Sequence, residues 1–334
     1  MKVLVYSSRP YDKKFLEAAN QGRHEIQFIE ARLEEHTAVL AKGFPAVCCF
    51  VSDSVNAQVL QELHDGGTKL VVLRATGFNN VDLTTAERLG ITVMRVSNYS
   101  PYSVAEFAVG MILAMNRKIH RAHQRVREGN FRLDGLLGFD LHGKTVGVVG
   151  TGKIGSVFSK IMHGFGCSLL GFDKYQNPEC IELGMRYVSL EQLLSDSDII
   201  SLHAPLNPET HHMINKDTIS LMKEGAILVN TSRGALVDTQ ALIPYLKECH
   251  KCAVCLDVYE EEEHIYYRDL SDQVITDDVI SRLITFPNSL VTGHQAFFTQ
   301  DAMQTIAETT IGNLSDFENG RTNENTLKLE KVMR

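Results

Sequence analysis

The sequence lacks the features of a nucleic-acid binder and of a membrane protein. It has 33 Lys and Arg residues against 41 Asp and Glu, a net charge of −8, so it has no basic excess for phosphate backbones or anionic lipid surfaces. No apolar run approaches the roughly 18 residues of a transmembrane helix. The N-terminal residues, MKVLVYSSRPYDKK, contain no apolar stretch long enough for a signal peptide. We therefore expect no nucleic-acid partner, no membrane and a β-strand at the N-terminus.

Cysteine is also scarce. Seven cysteines in 334 residues are few and odd in number, and without a secretory signal they favour free thiols in a reducing cytoplasm. Three of them form Cys249-x-x-Cys252-x-x-Cys255, which imitates part of an iron–sulfur motif. Because no fourth cysteine is near, and because Cys252 and Cys255 fall on or beside a predicted strand, we favour packing over a metal or redox role.

Histidine pairs are the other candidate metal ligands. The chain has His211-His212 and His120-x-x-His123, but the sequence shows no acid or thiol clustered with either pair. We therefore expect no metal site.

The order of the sequence patterns predicts two α/β units. At 334 residues and 44% apolar content, the chain is too long for one ordinary domain and long enough for two. Short apolar runs alternate with amphipathic stretches, which is typical of mostly parallel, doubly wound sheets. The predicted strands are Lys2–Ser7, Glu25–Glu30, Ala46–Val51, Lys69–Ala75 and Thr92–Val96, then Thr145–Val149, Ser168–Phe172, Arg186–Ser189, Asp198–His203, Ala226–Asn230, Ala253–Val258 and Ser289–Thr292. Helices are predicted over Lys13–Asn20, Asn56–His64, Lys153–Phe165 and Asp301–Glu318.

A long helix is predicted between the two units, over Ser100–Glu128. Its first residues, Ser100-Pro101, are a helix start signal. Apolar residues recur at helical spacing from Val104 to Met115, and the end of the segment is basic, which suits the C-terminus of a helix.

The strongest local motif is a glycine-rich turn at the start of the second unit. Gly150-x-Gly152-x-x-Gly155 follows an apolar strand and opens a helix, which is the context that a dinucleotide site requires. These glycines permit a tight turn, the approach of a pyrophosphate, and close packing of helix on strand, and the first helical residues, Lys153 and Ile154, lie at the end that faces the phosphates.

The acid that follows the next strand completes this motif. Asp173 lies 18 residues after Gly155, where a carboxylate accepts hydrogen bonds from the adenosine ribose and repels a 2′-phosphate. The motif therefore predicts NAD rather than NADP. By contrast, the first strand of the chain is followed by Ser7-Ser8-Arg9-Pro10, which has no glycine to cradle phosphate, so we expect the cofactor domain to be inserted in the middle of the chain.

Three further segments follow strands of the second unit, where ligands of doubly wound sheets bind. They contain Arg233 in NTSRG, an acidic run after Asp257 in DVYEEEE, and His294 in TGHQAFF. Each has a plainer interpretation alone: a surface arginine, a solvated loop, a structural histidine. Together they offer an anion-binding arginine, a carboxylate and a titratable histidine, the set that proton-coupled hydride transfer to a keto acid requires.

These segments resemble the D-isomer-specific 2-hydroxyacid dehydrogenase family. The resemblance rests on GTGKIG with Asp173, NTSRG, DVYEEE and GHQAFF, and it covers essentially the whole chain. The segments ATGFNNVDL, SNYSP and GHQAFFTQ are similar to the D-lactate dehydrogenase branch in particular. The wider family usually has Pro-His-x-Ala where this chain has Gly293-His294-Gln295-Ala296, a departure that we interpret as belonging to that branch.

The resemblance implies a catalytic set of Arg233, Glu262 and His294. It selects Glu262 from the acidic run because the family's acid stands five residues after the Asp that ends the preceding strand, here Asp257. It implies reduction of pyruvate by NADH, with His294 giving the proton, Glu262 supporting the imidazolium and Arg233 holding the carboxylate. The same resemblance implies that the cofactor is lined by Ala204, Pro205, Thr210, Thr231, Ser232 and Asp257, and that the substrate is bound by Phe50, Thr76, Gly77, Phe78, Tyr99, Arg233 and His294.

The expected architecture is α/β, with two doubly wound (Rossmann/flavodoxin-like) domains. We expect an NAD-binding domain at 100–298, inserted into a substrate domain made of 1–99 and 299–334, with a hinge at the two crossings and the site in the cleft. The resemblance further implies a cytoplasmic, fermentative enzyme for pyruvate and D-lactate that forms a homodimer or higher homo-oligomer through the long helix.

Two alternatives remain open at this point. One is a dehydrogenase of the same family that acts on another D-2-hydroxyacid, such as a larger one, glycerate or phosphoglycerate. The other is an NAD-sensing corepressor built on this fold, which turnover would distinguish.

Overall fold

Two parallel β-sheets organise the chain in the computed structural model, which describes residues 1–329 apart from the side chain of Glu263. One unit comprises Met1–Ser100 and the described residues from Phe298 onward, and the other comprises Pro101–Phe297. The two doubly wound α/β domains expected from the alternating pattern are confirmed.

The first unit holds a five-stranded sheet of order β2-β1-β3-β4-β5. The middle strands are buried along their whole length, with alternate residues packing into apolar clusters on opposite faces, as expected for a parallel sheet covered by helices. Its elements are β1 (Lys2–Val5), α1 (Pro10–Asn20), β2 (Glu25–Phe28), β3 (Ala46–Cys49), α2 (Ala57–Asp65), β4 (Leu70–Leu73), α3 (Leu83–Arg88) and β5 (Thr92–Arg95).

The second unit holds a seven-stranded parallel sheet of order β12-β11-β10-β9-β6-β7-β8. Its elements are α4 (Pro101–Asn116), α5 (Ile119–Arg127), β6 (Thr145–Val149), α6 (Lys153–Gly164), β7 (Ser168–Phe172), α7 (Pro178–Glu182), β8 (Arg186–Tyr187), α8 (Leu190–Asp196), β9 (Ile199–Leu202), α9 (Lys216–Ile219), β10 (Ile227–Asn230), α10 (Thr239–Glu248), β11 (Ala253–Leu256), α11 (Asp278–Leu283) and β12 (Ser289–Val291). The last helix, α12 (Gln300–Glu318), belongs to the first unit and packs beside α1.

Strand register sets where the second unit can hold a ligand. Asn230 of β10 pairs with Leu256 of β11, and Leu256 pairs with Val291 of β12. The segments that follow these three strands therefore emerge side by side at one edge of the sheet. All twelve predicted strands are present, most of them one or two residues shorter than expected because the last apolar residues continue into the connecting loops.

The prediction of one helix over Ser100–Glu128 is wrong. The chain forms α4 and then α5, because Lys118 between them adopts a left-handed conformation with φ of 50°. The side-chain amide of Asn116, the last residue of α4, forms two hydrogen bonds with the backbone of Phe139. The first helix is apolar and largely buried, whereas no residue of α5 is buried, so the hydrophobic periodicity ends where the helix does.

The expectation that all seven cysteines are free thiols is wrong for one pair. Cys249 and Cys252 form a disulfide across the turn that leads from α10 into β11, with Cα atoms 5.3 Å apart, a separation that suits a disulfide. Cys255 is a buried free thiol, as the packing interpretation expected, and the other four are buried and free as well.

Within the described residues, no helix combines the length and the apolar character that crossing a bilayer needs.

Candidate active site

The glycine turn after β6 has the geometry of a dinucleotide site. Gly150 has φ of 90°, and a Cβ there would lie 2.6 Å from the backbone nitrogen of Ala204. A Cβ on Gly155 would lie 2.0 Å from the carbonyl oxygen of Gly150. A Cβ on Gly152, in contrast, would meet no described atom within 4 Å. Two glycines are thus required by packing, and the third leaves open the surface at the N-terminus of α6, where a pyrophosphate can approach.

Asp173 lies directly against this turn. Its Oδ2 accepts a hydrogen bond of 2.6 Å from the backbone N–H of Thr151, and its Oδ1 accepts one of 3.0 Å from that of Tyr175. The carboxylate that follows β7 is therefore fixed beside the glycine turn, the place where the sequence motif puts a ribose-binding acid.

The loops after β9 and β10 complete the cofactor side. The Ser232 hydroxyl donates to the carbonyl oxygen of Ala204 at 2.6 Å, and the Thr210 hydroxyl donates to that of Pro205 at 2.7 Å. The Thr231 hydroxyl is buried and has no hydrogen-bond partner within residues 1–329, which fits a position that a bound dinucleotide would satisfy. These predicted cofactor residues therefore do form one connected surface beside the glycine turn.

His203 was missed by sequence reasoning. It follows β9, its backbone carbon lies 2.7 Å from where a Cβ on Gly150 would stand, and its Nε2 lies 2.9 Å from the Ser201 hydroxyl. Burial lowers the pKa of His203 to about 3, so the imidazole is neutral and adds no charge beside the turn. Its position immediately before Ala204-Pro205 was the available signal.

His294 and Glu262 form the central pair of the site. The Nδ1 atom of His294 lies 2.7 Å from Oε1 of Glu262, and both side chains are partly exposed. Oε2 of Glu262 accepts a hydrogen bond of 3.0 Å from the backbone N–H of Tyr259. Because Nδ1 is engaged with the carboxylate, Nε2 is the ring nitrogen that can exchange a proton with a ligand.

Asp257 fixes the loop that carries His294. It is fully buried at the end of β11, and its carboxylate accepts hydrogen bonds from the Thr292 hydroxyl at 2.6 Å and from the backbone N–H groups of Gln295 and Ala296. The His294 N–H donates to the Asp257 carbonyl oxygen at 2.7 Å. These contacts hold His294 in a left-handed conformation with φ of 52°, which is uncommon for a residue other than glycine. A direct role of Asp257 toward the cofactor stays a prediction.

Arg233 stands on a tight turn after β10. The Asn230 amide donates to the Arg233 carbonyl oxygen at 2.8 Å, and Asn230 Oδ1 accepts from the Ser232 N–H at 3.0 Å. A Cβ on the next residue, Gly234, would lie 2.1 Å from the backbone carbon of Tyr259. The absence of a side chain at Gly234 thus lets the Arg233 turn approach the chain just before Glu262.

The premise that His211 and His212 lack an acidic neighbour is wrong. The Nε2 atom of His212 lies 2.5 Å from Oε1 of Glu260, and one donor atom from each of His211, His212 and Glu260 lies within 4.8 Å of the others. Glu260 is distant in sequence, and only the fold brings it to the histidines.

The predicted substrate residues of the first unit stand where its own sheet ends. Phe50 follows β3, Thr76 to Phe78 follow β4, and Tyr99 follows β5. Sequence reasoning missed Arg95, the last residue of β5: its Nη1 donates to the Thr76 carbonyl oxygen at 2.8 Å, and its guanidinium lies 4.9 Å from the Phe78 ring centroid.

Comparisons with known proteins agree with this geometry. Residues 109–296 match the family model described as "D-isomer specific 2-hydroxyacid dehydrogenase, NAD binding domain". The chain is 49% identical to the D-lactate dehydrogenase of Escherichia coli (strain K12) over 328 residues, which cover 98% of this chain and 100% of that protein.

Two solved structures extend the comparison to the fold. The apo-structure of D-lactate dehydrogenase from Escherichia coli has a TM-score of 0.90 at 48% identity, covering 98% of this chain and 100% of that one. The structure of D-lactate dehydrogenase with NAD+ from Lactobacillus jensenii has a TM-score of 0.81 at 30% identity, with the same coverage.

The glycine turn, Asp173 and the unsatisfied Thr231 hydroxyl fit a dinucleotide, and the matched NAD-binding domain identifies the cofactor as NAD. The match to the family model spans more than half of the chain, and the similarity to the Escherichia coli D-lactate dehydrogenase extends over nearly all of it. This chain is a member of the D-isomer-specific 2-hydroxyacid dehydrogenase family.

Proposed function

We propose that the protein is an NAD-dependent D-lactate dehydrogenase, which interconverts pyruvate and NADH with D-lactate and NAD. The observation that carries the proposal is the hydrogen bond of 2.7 Å between His294 Nδ1 and Glu262 Oε1. It lies in the same unit as the glycine turn, at the sheet edge where Arg233 also stands. The similarity to the Escherichia coli enzyme supports lactate among the possible 2-hydroxyacids.

His294 is the proton donor in pyruvate reduction. Bound NADH supplies the hydride that reduces the keto carbon. The carbonyl double bond opens, and its oxygen takes the proton from Nε2 of protonated His294, so that the product is an alcohol and the imidazole becomes neutral. In lactate oxidation the same nitrogen accepts the proton.

Glu262 and Arg233 supply the electrostatics of the reaction. The Glu262 carboxylate, at 2.7 Å from Nδ1, stabilises the charged imidazolium and fixes the ring orientation. Arg233 holds the substrate carboxylate with its planar guanidinium and polarises the carbonyl group.

The first unit supplies the substrate residues Phe50, Thr76, Gly77, Phe78 and Tyr99. Their place after strands of their own sheet supports this assignment, since ligands of such sheets bind beyond the carboxyl ends of the strands. Gly77 has no Cβ to obstruct a carboxylate that approaches its backbone N–H. Phe50 is the residue that would limit the length of the substrate side chain.

The protein functions as a homodimer in the cytoplasm, where it reoxidises NADH in fermentation. The dimer is supported by a group of large apolar side chains exposed on α5 and the loop after it, which a second copy would bury. These residues are Ile119, Val126, Phe131, Leu133 and Leu137, each at least 48% exposed. The cellular role follows from the proposed chemistry, because reduction of pyruvate regenerates NAD.

The decisive experiment is NADH oxidation by the purified protein with a panel of 2-keto acids, followed by chiral analysis of the product. We expect pyruvate to be reduced to D-lactate, and NADH to be preferred over NADPH by about 10² in kcat/KM because Asp173 repels a 2′-phosphate. L-lactate as product, or stronger turnover of another keto acid, would contradict the substrate assignment. Absence of turnover with every keto acid, despite NADH binding, would favour a non-catalytic sensor.

A further inference from the structure

Three short side-chain contacts hold the turn at residues 259–262, which carries Glu262. The Tyr259 hydroxyl donates to Asp277 at 2.7 Å, Glu260 contacts His212 at 2.5 Å, and Glu262 contacts His294 at 2.7 Å. The third contact is the proposed catalytic pair itself. The first two are therefore what can fix the turn independently of the histidine that Glu262 serves.

His212 belongs to a segment that is paired with the chain after Arg233. Its N–H donates to the Ala235 carbonyl oxygen at 2.8 Å, and the backbone of Ile214 is hydrogen-bonded to Leu236 and Asp238. Ile214 and Val237 form a parallel bridge. His212 is thus part of the same rigid group as the Arg233 turn.

Glu260 joins this group to the turn that carries Glu262. Oε1 faces His212 Nε2 at 2.5 Å, and Oε2 lies 3.5 Å from the Thr239 hydroxyl. The backbone of Tyr259 and Glu260 also packs against Gly234, where a Cβ would come within 2.3 Å of the Glu260 nitrogen. Only one residue separates Glu260 from Glu262, so a shift of Glu260 moves the catalytic carboxylate.

We propose that His212 and Glu260 are a positioning pair, which fixes Glu262 relative to both His294 and Arg233. The inference rests on the proposed function for its effect on turnover. Neither side chain contacts the His294 ring in the described contacts, so the pair acts through the backbone of residues 260–262. Its loss loosens the 2.7 Å contact between Glu262 and His294 and lowers kcat, since small misplacements of catalytic groups are costly.

A metal ion is the competing explanation for this cluster. The rings of His211 and His212 stack, with centroids 4.0 Å apart and an interplanar angle of 27°. The nitrogen lone pairs lie in the ring planes, so the stacked rings hold them in two separate planes, which does not favour one shared ion. His212 Nε2 already faces Glu260 at hydrogen-bond distance. A direct hydrogen bond accounts for this contact without an ion.

The test compares Glu260→Ala, His212→Ala, the conservative Glu260→Gln, and His211→Ala as the matched control. The control removes the third candidate metal ligand and leaves the pair intact. We expect kcat for pyruvate to fall about tenfold in the two disrupting variants, with the KM for NADH unchanged. Glu260→Gln should retain most of kcat because its amide oxygen still accepts the hydrogen bond, and His211→Ala should behave like the wild type. Circular dichroism and thermal melting confirm that each variant is folded. If the alanine variants do not fold, Glu260→Leu and His212→Asn replace them, because neither can form the contact between residues 212 and 260.

A second readout does not depend on turnover. In proton NMR, we expect the Nδ1–H of His294 that faces Glu262 to give a strongly downfield signal, which its loss in His294→Ala would assign. We expect this signal to move upfield in Glu260→Ala and His212→Ala, and to stay in place in His211→Ala. The alkaline limb of the kcat/KM profile should move to lower pH in the same two variants, because Glu262 then supports the protonated ring less firmly.

The outcomes separate the competing explanations. Folded alanine variants with wild-type kcat, pH profile and NMR signal would overturn the positioning role. The contact between His212 and Glu260 would then only stabilise the local fold. Two results together would assign the cluster to an ion instead. A chelator would have to lower the activity of the wild type and shift its NMR signal, and His211→Ala would have to show the same losses without a chelator. Failure of the wild type to reduce any 2-keto acid would count against the proposed function, while the NMR signal would still decide whether the pair positions Glu262.

Discussion

Each unit places a basic side chain after one of its strands, in contact with an acidic side chain, and the two pairs differ in burial. In the first unit, Arg74 directly follows β4 and meets Asp12 of α1 at 3.2 Å, with side chains only 2% and 5% exposed. In the second unit, His294 follows β12 and meets Glu262 at 2.7 Å, with side chains 17% and 25% exposed. The carboxyl ends of the two sheets therefore hold one pair that is sealed from solvent and one that is open to it.

The sealed pair is suited to stability and not to proton exchange. Burial alone would lower the pKa of Arg74, but Asp12 and the other acidic groups nearby raise it well above its ordinary value, so the guanidinium stays charged. Its Nη2 donates to the Ser7 carbonyl oxygen at 2.9 Å. The guanidinium therefore forms its hydrogen bonds with groups of its own unit. The open pair combines an imidazole beside a carboxylate with access to a ligand, and this is the arrangement that acid–base catalysis requires.

The largest expected effect is the loss of turnover when the open pair is broken. His294→Ala removes the imidazole that gives the proton in the proposed mechanism, and we expect kcat for pyruvate to fall by about 10²–10⁴-fold. NADH binding, measured by fluorescence titration, should change little because the glycine turn is untouched. A kcat near the wild-type value would remove His294 from the mechanism.

Breaking the sealed pair should instead lower the free energy of unfolding. Asp12→Ala leaves the Arg74 charge buried without its partner, which typically costs about 3–5 kcal/mol in the free energy of unfolding. The measurement is urea denaturation followed by circular dichroism. In the double variant Asp12→Leu with Arg74→Met, which removes both charges, most of this loss should be recovered; a double variant as unstable as Asp12→Ala would mean that packing, and not the unpaired charge, is the cause.

The third expected effect is a shift in pH dependence when the open pair loses only its charge. Glu262→Gln keeps the size of the side chain and a hydrogen-bond acceptor but removes the carboxylate. Pyruvate reduction needs His294 protonated, so activity is present at low pH and is lost as pH rises. Without the carboxylate the ring holds its proton less firmly, and we expect this loss to occur at lower pH. An unmoved alkaline limb in kcat/KM would show that another acid supports the ring.

Sequence patterns were sufficient for the sheets and the glycine turn, because both depend on neighbouring residues. Buried parallel strands require short apolar runs, and the turn after β6 requires glycines where Cβ atoms would meet backbone at 2.0 to 2.6 Å. The choice of Glu262 from a run of four acids came only from the family resemblance. The structure separates two of these acids by their partners: Glu260 meets His212, and Glu262 meets His294.

Contacts between distant residues could not be predicted in this way. Asp12 and Arg74 are 62 residues apart, and His212 and Glu260 are 48 apart, so their meeting depends on strand order and register. The break of the long helix at Lys118 and the Cys249–Cys252 disulfide depend on local backbone geometry that residue type does not specify.

The smallest expected effect concerns substrate size, and it tests whether the sealed pair also serves the substrate. The Arg74 guanidinium lies 5.1 Å from the centroid of the Phe50 ring, and the Phe50 N–H donates to Asp53 at 2.6 Å. The guanidinium thus contacts the half-buried ring, and the hydrogen bond fixes the Phe50 backbone at the end of β3, where we propose that the ring limits the substrate side chain. Phe50→Leu should create room for a longer apolar chain, and each additional buried CH₂ is worth about 0.8 kcal/mol, or about fourfold in kcat/KM. We expect weaker activity on pyruvate, improved kcat/KM for branched 2-keto acids, and a melting temperature only slightly reduced.

Phe44→Leu is the matched control, since Phe44 precedes the same strand at its opposite end and packs into the same unit's core. If both variants lose thermal stability equally and neither changes the substrate profile, Phe50 is a packing residue, and the sealed pair has no part in specificity.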